Sequence, residues 1–214
     1  MLLNIRLWLV AFAVIGGLLL WVSSGSARPD ATLKVDAKAN IFAAGFAVLP
    51  FVEADAGVLP VAFRFTAGSG KVLTFSRVTA KLKWGDSNTF GPDGDSYSTN
   101  IRSLGAISGM FVKEKSLFLA GVFLGNKPPA GHAPPRLRLS SPESMKVLAP
   151  KLQQTFYIGD GHTATGEVQQ FKVPPTATRL YLGFVDAVSF TGKPGAYGDN
   201  KGAAKAIFSI GRAG

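Results

Sequence analysis

The chain of 214 residues contains no cysteine, which excludes disulfide frameworks, thiolate zinc sites, iron–sulfur clusters and cysteine nucleophiles. Its two histidines, His132 and His162, leave little room for a histidine-built metal or catalytic site. Charged residues make up only 17% of the chain, beside twenty-five glycines and thirteen prolines, a composition that favours short strands and tight turns over salt-bridged helices. An all-helical bundle is therefore not expected. Acidic residues are scarce as well: thirteen Asp+Glu against twenty-three Lys+Arg leave a net charge of +10. That excess fits an acidic neighbour, such as a membrane surface or an acidic protein face, and fits an ordinary solvated basic surface equally well. No nucleic-acid partner is expected. The apolar content of 47%, with mean hydropathy +0.23, is enough for a core and excludes wholesale disorder.

Leu7 to Val22 (LWLVAFAVIGGLLLWV) carries no charge, follows Arg6, and precedes the small polar stretch Ser23-Ser24-Gly25-Ser26-Ala27. This pattern is an export signal. Gly25-Ser26-Ala27 offers the small residues that signal peptidase accepts, so cleavage after Ala27 is one outcome. Retention is the other: a helix of this length spans roughly 24 Å, extendable by Leu2, Leu3 and Ile5 toward a core of ~30 Å, and Trp8 and Trp21 sit near its ends, where interfacial aromatics belong. The favoured expectation is an uncleaved anchor over residues 1–27. Arg6 ahead of it then predicts a cytoplasmic N-terminus and an extracytoplasmic body.

Beyond a linker at residues 28–33, strand signals dominate residues 34–214. Leu59–Phe65, Lys71–Val78, Leu117–Leu124, Gln154–Ile158, Arg179–Val185 and Ala206–Ile210 are short β-branched and aromatic runs bounded by Gly, Pro, Asn or Asp. They predict an all-β domain, a two-layer antiparallel sandwich behind one N-terminal transmembrane helix. Phe63, Phe65, Leu73, Phe75, Leu180, Leu182 and Phe184 are expected to face inward. Lys127–Pro135 (KPPAGHAPP) cannot supply ladder donors and reads as an exposed loop.

Ala67–Val72 (AGSGKV) superficially resembles a phosphate loop but has Phe65 where the first glycine is needed and a strand pattern after it, so it reads as a hairpin turn. Neither His132 nor His162 is flanked by a serine elbow. The oxygen-rich turns say more. Gly192–Gly202 (GKPGAYGDNKG) presents Asp199 and Asn200 side by side, and Asp186 ends the strand before it. Calcium takes six to eight oxygens, partly from carbonyls that such turns expose; Asp and Asn in glycine-rich turns also serve simply to cap backbone amides. Phe90–Asp95 (FGPDGD) has the same two readings.

Pro194–Gly202 followed by a final strand, and Trp84-Gly85 followed by Gly91–Asp95, resemble the calcium-side segments of the bacterial galactophilic lectins. Asn40–Gly45, Ile107-Ser108-Gly109, Leu119–Leu124, Gln154–Gly161 and Leu182–Asp186 extend the resemblance, in the same order along the chain, to exported bacterial proteins with a lectin-like, galactose-binding-like (jelly-roll) domain. The resemblance implies calcium held by the Trp84 carbonyl, a carbonyl of Gly195 or Ala196, and the Asp199 and Asn200 side chains. The lectins' first loop aspartate falls on Gly192, which leaves Asp186 as the substitute ligand. The histidine and glutamine that contact galactose align with Ser98 and Ile101, which do not reproduce that hydrogen-bonding pair. Asp95, Ser98 and Lys193 are the candidate ligand-contacting residues. Three functions follow in order: a non-catalytic, membrane-anchored accessory subunit docking on a membrane protein complex; a calcium-dependent carbohydrate binder; and, last, a glycan hydrolase using Asp93 with Asp95 or Asp160 with Asp186.

Overall fold

A computed structural model describes residues 30–49 and 55–212. The expected anchor, with Trp8 and Trp21, lies outside the described residues. Among those described, no helix is long and apolar enough to cross a membrane.

The described residues form thirteen strands: β1 Ala31–Asp36, β2 Val61–Arg64, β3 Lys71–Lys83, β4 Thr99–Ile101, β5 Met110–Val112, β6 Leu119–Leu124, β7 Leu137–Leu139, β8 Val147–Leu148, β9 Thr155–Tyr157, β10 Gln170–Lys172, β11 Arg179–Phe184, β12 Thr191–Gly192 and β13 Lys201–Arg212. They make a five-stranded sheet (β1-β13-β3-β10-β8) and two four-stranded sheets (β2-β11-β6-β9 and β12-β4-β5-β7). The all-β expectation holds. A third sheet, and parallel pairings of β10 with β8, β12 with β4 and β5 with β7, make the architecture richer than two purely antiparallel layers.

The spine is the pairing of β13 with β3, which runs from Lys201 opposite Lys83 to Arg212 opposite Lys71, with a bulge between Ile207 and Phe208. β1 covers the other edge of β13, with Ala31 opposite Phe208. Residues 31–33 are therefore strand, not linker. Alternation drives this placement: Leu33 and Val35 face the core while Thr32, Lys34 and Asp36 are exposed. The expected hairpin at Gly68–Gly70 is also corrected, because β2 before it pairs with β11 and β3 after it with β13 and β10. The turn carries the chain from one sheet to another.

The five-stranded sheet and the β2-β11-β6-β9 sheet face each other through aromatic rings. Phe63 meets Phe208 at 5.1 Å between centroids, and Phe156 meets Phe171 at 5.3 Å, geometries that add to ordinary burial. Leu73, Phe75, Leu180, Leu182 and Phe184 are buried as expected, and Phe63 and Phe65 pack against the core while partly exposed. β6 is buried at every residue, because both of its faces are covered. Its Gly121 is required by packing: a Cβ there would lie 2.5 Å from the Phe156 ring.

The outer face of the five-stranded sheet is basic. Lys34 stands opposite Lys205 and Lys201 opposite Lys83, and Lys34, Lys81 and Lys205 surround a shallow cavity of about 690 Å³ floored by Ala80, Ala203 and Ala204. Like charges directly opposite one another destabilise a ladder. The Lys127–Pro135 loop forms no strand, as expected.

Candidate metal centre

At the end of the second sheet, β11 delivers Asp186 into the interior, where its side chain is 3% exposed. Its Oδ1 accepts the Ala187 backbone N–H at 2.8 Å and its Oδ2 accepts Asn200 Nδ2 at 2.8 Å. Burial pushes this carboxyl from 3.8 up to about 8; the two hydrogen bonds act the other way, and the nearby Asp199 charge adds to the rise. An ionised Asp186 therefore sits in a setting that disfavours its charge.

The glycine-rich loop is pinned above it by Tyr197, which is fully buried despite its polar sequence context. The Tyr197 hydroxyl donates to the Phe184 carbonyl at 3.0 Å and accepts the Asp186 N–H at 3.2 Å. Ala196, with φ of 65°, and the short 3-10 turn Tyr197–Asp199 swing the chain back so that Asp199 is exposed and Asn200 buried. Across the cleft, the Trp84 turn is closed by Ser87 N–H donating to the Trp84 carbonyl at 2.9 Å and Trp84 N–H donating to Ser87 Oγ at 3.1 Å. Gly85 follows with φ of 44°, and a Cβ on it would stand 3.2 Å from Asp199 Oδ2. The two loops thus meet at the Asp199 carboxylate.

Between them lies a cavity of about 380 Å³ bordered by Trp84, Asp186, Ala196 and Asp199, with Tyr97 and the Ala187–Phe190 segment completing its wall. Four of the six expected ligands therefore share one cavity. Asn200 is adjacent through Asp186, and its Oδ1 is buried with no hydrogen-bond partner among the described residues. Gly195 is not at the cavity; its N–H donates to the Asp186 carbonyl at 3.1 Å. Ala196 is the better placed of the two alternative carbonyls. Among the described residues no three His, Cys, Asp or Glu side chains gather as a metal group. The set here is two carboxylates, one carboxamide oxygen and main-chain carbonyls, which is oxygen chemistry suited to calcium and unsuited to a soft metal.

The expected ligand-contacting residues have other duties. Asp95 Oδ2 accepts Trp84 Nε1 at 3.0 Å and Asp95 Oδ1 accepts Ser96 N–H at 2.7 Å, so Asp95 orients the indole. Ser98 Oγ accepts the Glu114 N–H at 2.9 Å, tying the approach to β4 to the turn after β5. Lys193 is exposed and does not line the cavity.

Sequence reasoning missed the aromatic wall. Trp84, Tyr97 and Phe190 pack mutually, with centroids 5.5–5.8 Å apart, and Tyr97 is 54% exposed. An aromatic in the polar run Ser96-Tyr97-Ser98 was the available signal. Phe190 carried none, because Ser189 and Phe190 both adopt positive φ (51° and 54°) in a short turn that no local pattern announces.

The carboxylates of the two hydrolase pairings each have a hydrogen-bond partner of their own. Asp93 lies with Asp160, whose backbone N–H donates to Asp93 Oδ1 at 2.8 Å, while Asp95 holds Trp84 and Asp186 lies with Asn200. No family model matches the chain, and no curated protein matches it either.

Proposed function

We propose that this protein is a non-catalytic, calcium-binding β-sandwich, anchored to the bacterial inner membrane by its N-terminal segment, that serves as an accessory binding subunit of a membrane protein complex. The observation that carries the calcium reading is the convergence of the Trp84 turn, Asp186, Ala196 and Asp199 on one cavity, next to an orphaned Asn200 Oδ1. The residues present fit the ion. Asp186 and Asp199 would neutralise it, Asn200 Oδ1 would gain the partner it lacks, and the Trp84 and Ala196 carbonyls would complete the set. When bound, calcium would supply charge compensation and cross-link the Trp84 turn to the Gly192–Gly202 loop. The chain's own residues then hold the surface: Tyr197 fixes the loop to the core, and Asp95 fixes the Trp84 ring beside it.

The partner reading is supported by the basic outer face, where Lys34 opposite Lys205 and Lys201 opposite Lys83 fit an acidic protein or lipid surface. A second reading, calcium-dependent carbohydrate binding, is favoured by the partly exposed Tyr97 in an aromatic wall beside the candidate ion. Calorimetric titration separates these. Calcium binds in both, and galactose binding at micromolar affinity in calcium, lost in Asp199→Ala, selects the lectin. Absence of calcium binding by the chelator-treated protein would sink both.

A further inference from the structure

One strand pairing beyond the aromatic wall, β12 runs parallel to β4 with Thr191 opposite Asn100 and Gly192 opposite Ile101. A separate cavity of about 460 Å³ opens there, lined by Asn100, Arg102, Ser103, Arg136, Thr191 and Gly192. Two guanidinium-bearing residues and three neutral polar side chains surround it, with no carboxylate among them. Among the described residues neither arginine takes part in an ion pair.

Arg136 is oriented rather than loose. Its Nη1 donates to Asn100 Oδ1 at 2.8 Å and reaches the Ile101 carbonyl at 3.5 Å. Those contacts set the plane of the guanidinium and leave Nε and Nη2 without an acceptor among the described residues. A free planar edge of this kind matches the paired oxygens of a carboxylate or phosphate, which a solvated ammonium would not do. Arg102 is placed on the rim by its backbone N–H, which donates to the Gly192 carbonyl at 2.7 Å. Ser103 Oγ accepts the Gly109 N–H at 2.9 Å and keeps its proton to donate to a ligand. Every side chain at this cavity can donate, and both charges are positive.

We propose that this cavity is an oxyanion site, which takes the carboxylate or phosphate group of a small anionic ligand. None of its lining residues is a candidate calcium ligand, so the proposal stands independently of the calcium reading. The test is calorimetric titration of the full chain in detergent micelles, freed of calcium on a chelating resin, with inorganic phosphate and with D-glucuronate. At least one anion should bind with Kd of about 1 mM or tighter; phosphate alone identifies a phosphate ligand, glucuronate alone a carboxylate, and both a general oxyanion site. Arg136→Gln should weaken binding about tenfold and Arg102→Gln several-fold, while Lys172→Gln, at the exposed end of β10, should leave it unchanged. Arg102 is exposed, so Arg102→Gln decides the matter if Arg136→Gln proves unfolded. Two results overturn the proposal: neither anion binding with Kd of about 1 mM or tighter, or equal weakening by the Arg102 and Lys172 variants, which would mean diffuse positive charge without a site.

Discussion

Two aspartates, the half-buried Asp93 and the buried Asp186, occupy similar settings to different ends. Each sits beside a buried tyrosine and a second aspartate, and burial pushes each carboxyl above its ordinary range. Around Asp93 the polar groups are matched: Oδ1 accepts both the Tyr157 hydroxyl at 3.1 Å and the Asp160 N–H at 2.8 Å, while the Asp160 carboxylate in turn accepts the His162 N–H at 2.8 Å. Around Asp186 matching is incomplete. Asn200 gives it one N–H, but the carboxamide oxygen of the same residue is left buried without a partner, and a cavity opens toward Asp199. The Asp93 carboxylate holds a turn together; beside Asp186 a single unpartnered carboxamide oxygen lies next to the cavity where the proposed cation would sit.

The largest effect that separates the two is on pH dependence. With its folded pKa raised from 3.8 to about 8, Asp186 keeps a proton in the calcium-free native state that the unfolded chain has released across that window. The native state binds more protons, so stability falls as pH rises from about 4 to about 8, by up to about 1.4 kcal/mol per unit. Calcium should flatten this slope, as should Asp186→Asn, whereas Asp93, also shifted upward, retains a slope of the same sign in calcium. Denaturant midpoints across that pH range, with and without calcium, measure it, and an unchanged slope in Asp186→Asn counts against the account.

Next in size is Asp199→Ala, which should weaken calcium binding about a hundredfold while shifting unfolding in chelator by only about 0.5 kcal/mol. Asp93→Ala should do the reverse. Loss of the acceptor for Tyr157 and Asp160 costs about 2 kcal/mol of stability, and calorimetry should find its calcium affinity that of the parent chain. The smallest effect belongs to Tyr97→Ala, where an exposed ring contacts Trp84 and Phe190 only by its edge or at a tilt: about 0.5 kcal/mol in thermal unfolding, with calcium affinity unaltered.

The comparison also marks where sequence reading succeeds. That Asp186, Asp199 and Asn200 come close together was legible because a glycine-rich loop carrying oxygen-bearing residues follows soon after a clear strand. Strands β2, β3, β6, β9 and β11 were legible from aromatic and β-branched runs. β13 was read only over Ala206–Ile210, although it begins at Lys201, because Lys-Gly-Ala-Ala-Lys carries no strand propensity of its own and becomes strand by pairing with β1 and β3 on either side. β4, β5, β7, β8, β10 and β12 have two or three residues each, too few for a period of two to register. The same limit hid the arginine cavity. Arg102 and Arg136 stand far apart in sequence and meet through strand pairing in the third sheet, so only the fold brings them together.

A crystal structure of the protein grown in calcium tests the central claim most directly. One ion is expected between the two loops, with oxygens of Asp186, Asp199, Asn200 and the Trp84 carbonyl at about 2.3–2.6 Å, and with the Asn200 carboxamide turned so that its oxygen faces the ion. An Asp186 still bonded to Asn200 Nδ2, with no ion density beside Asp199 at millimolar calcium, would contradict the account.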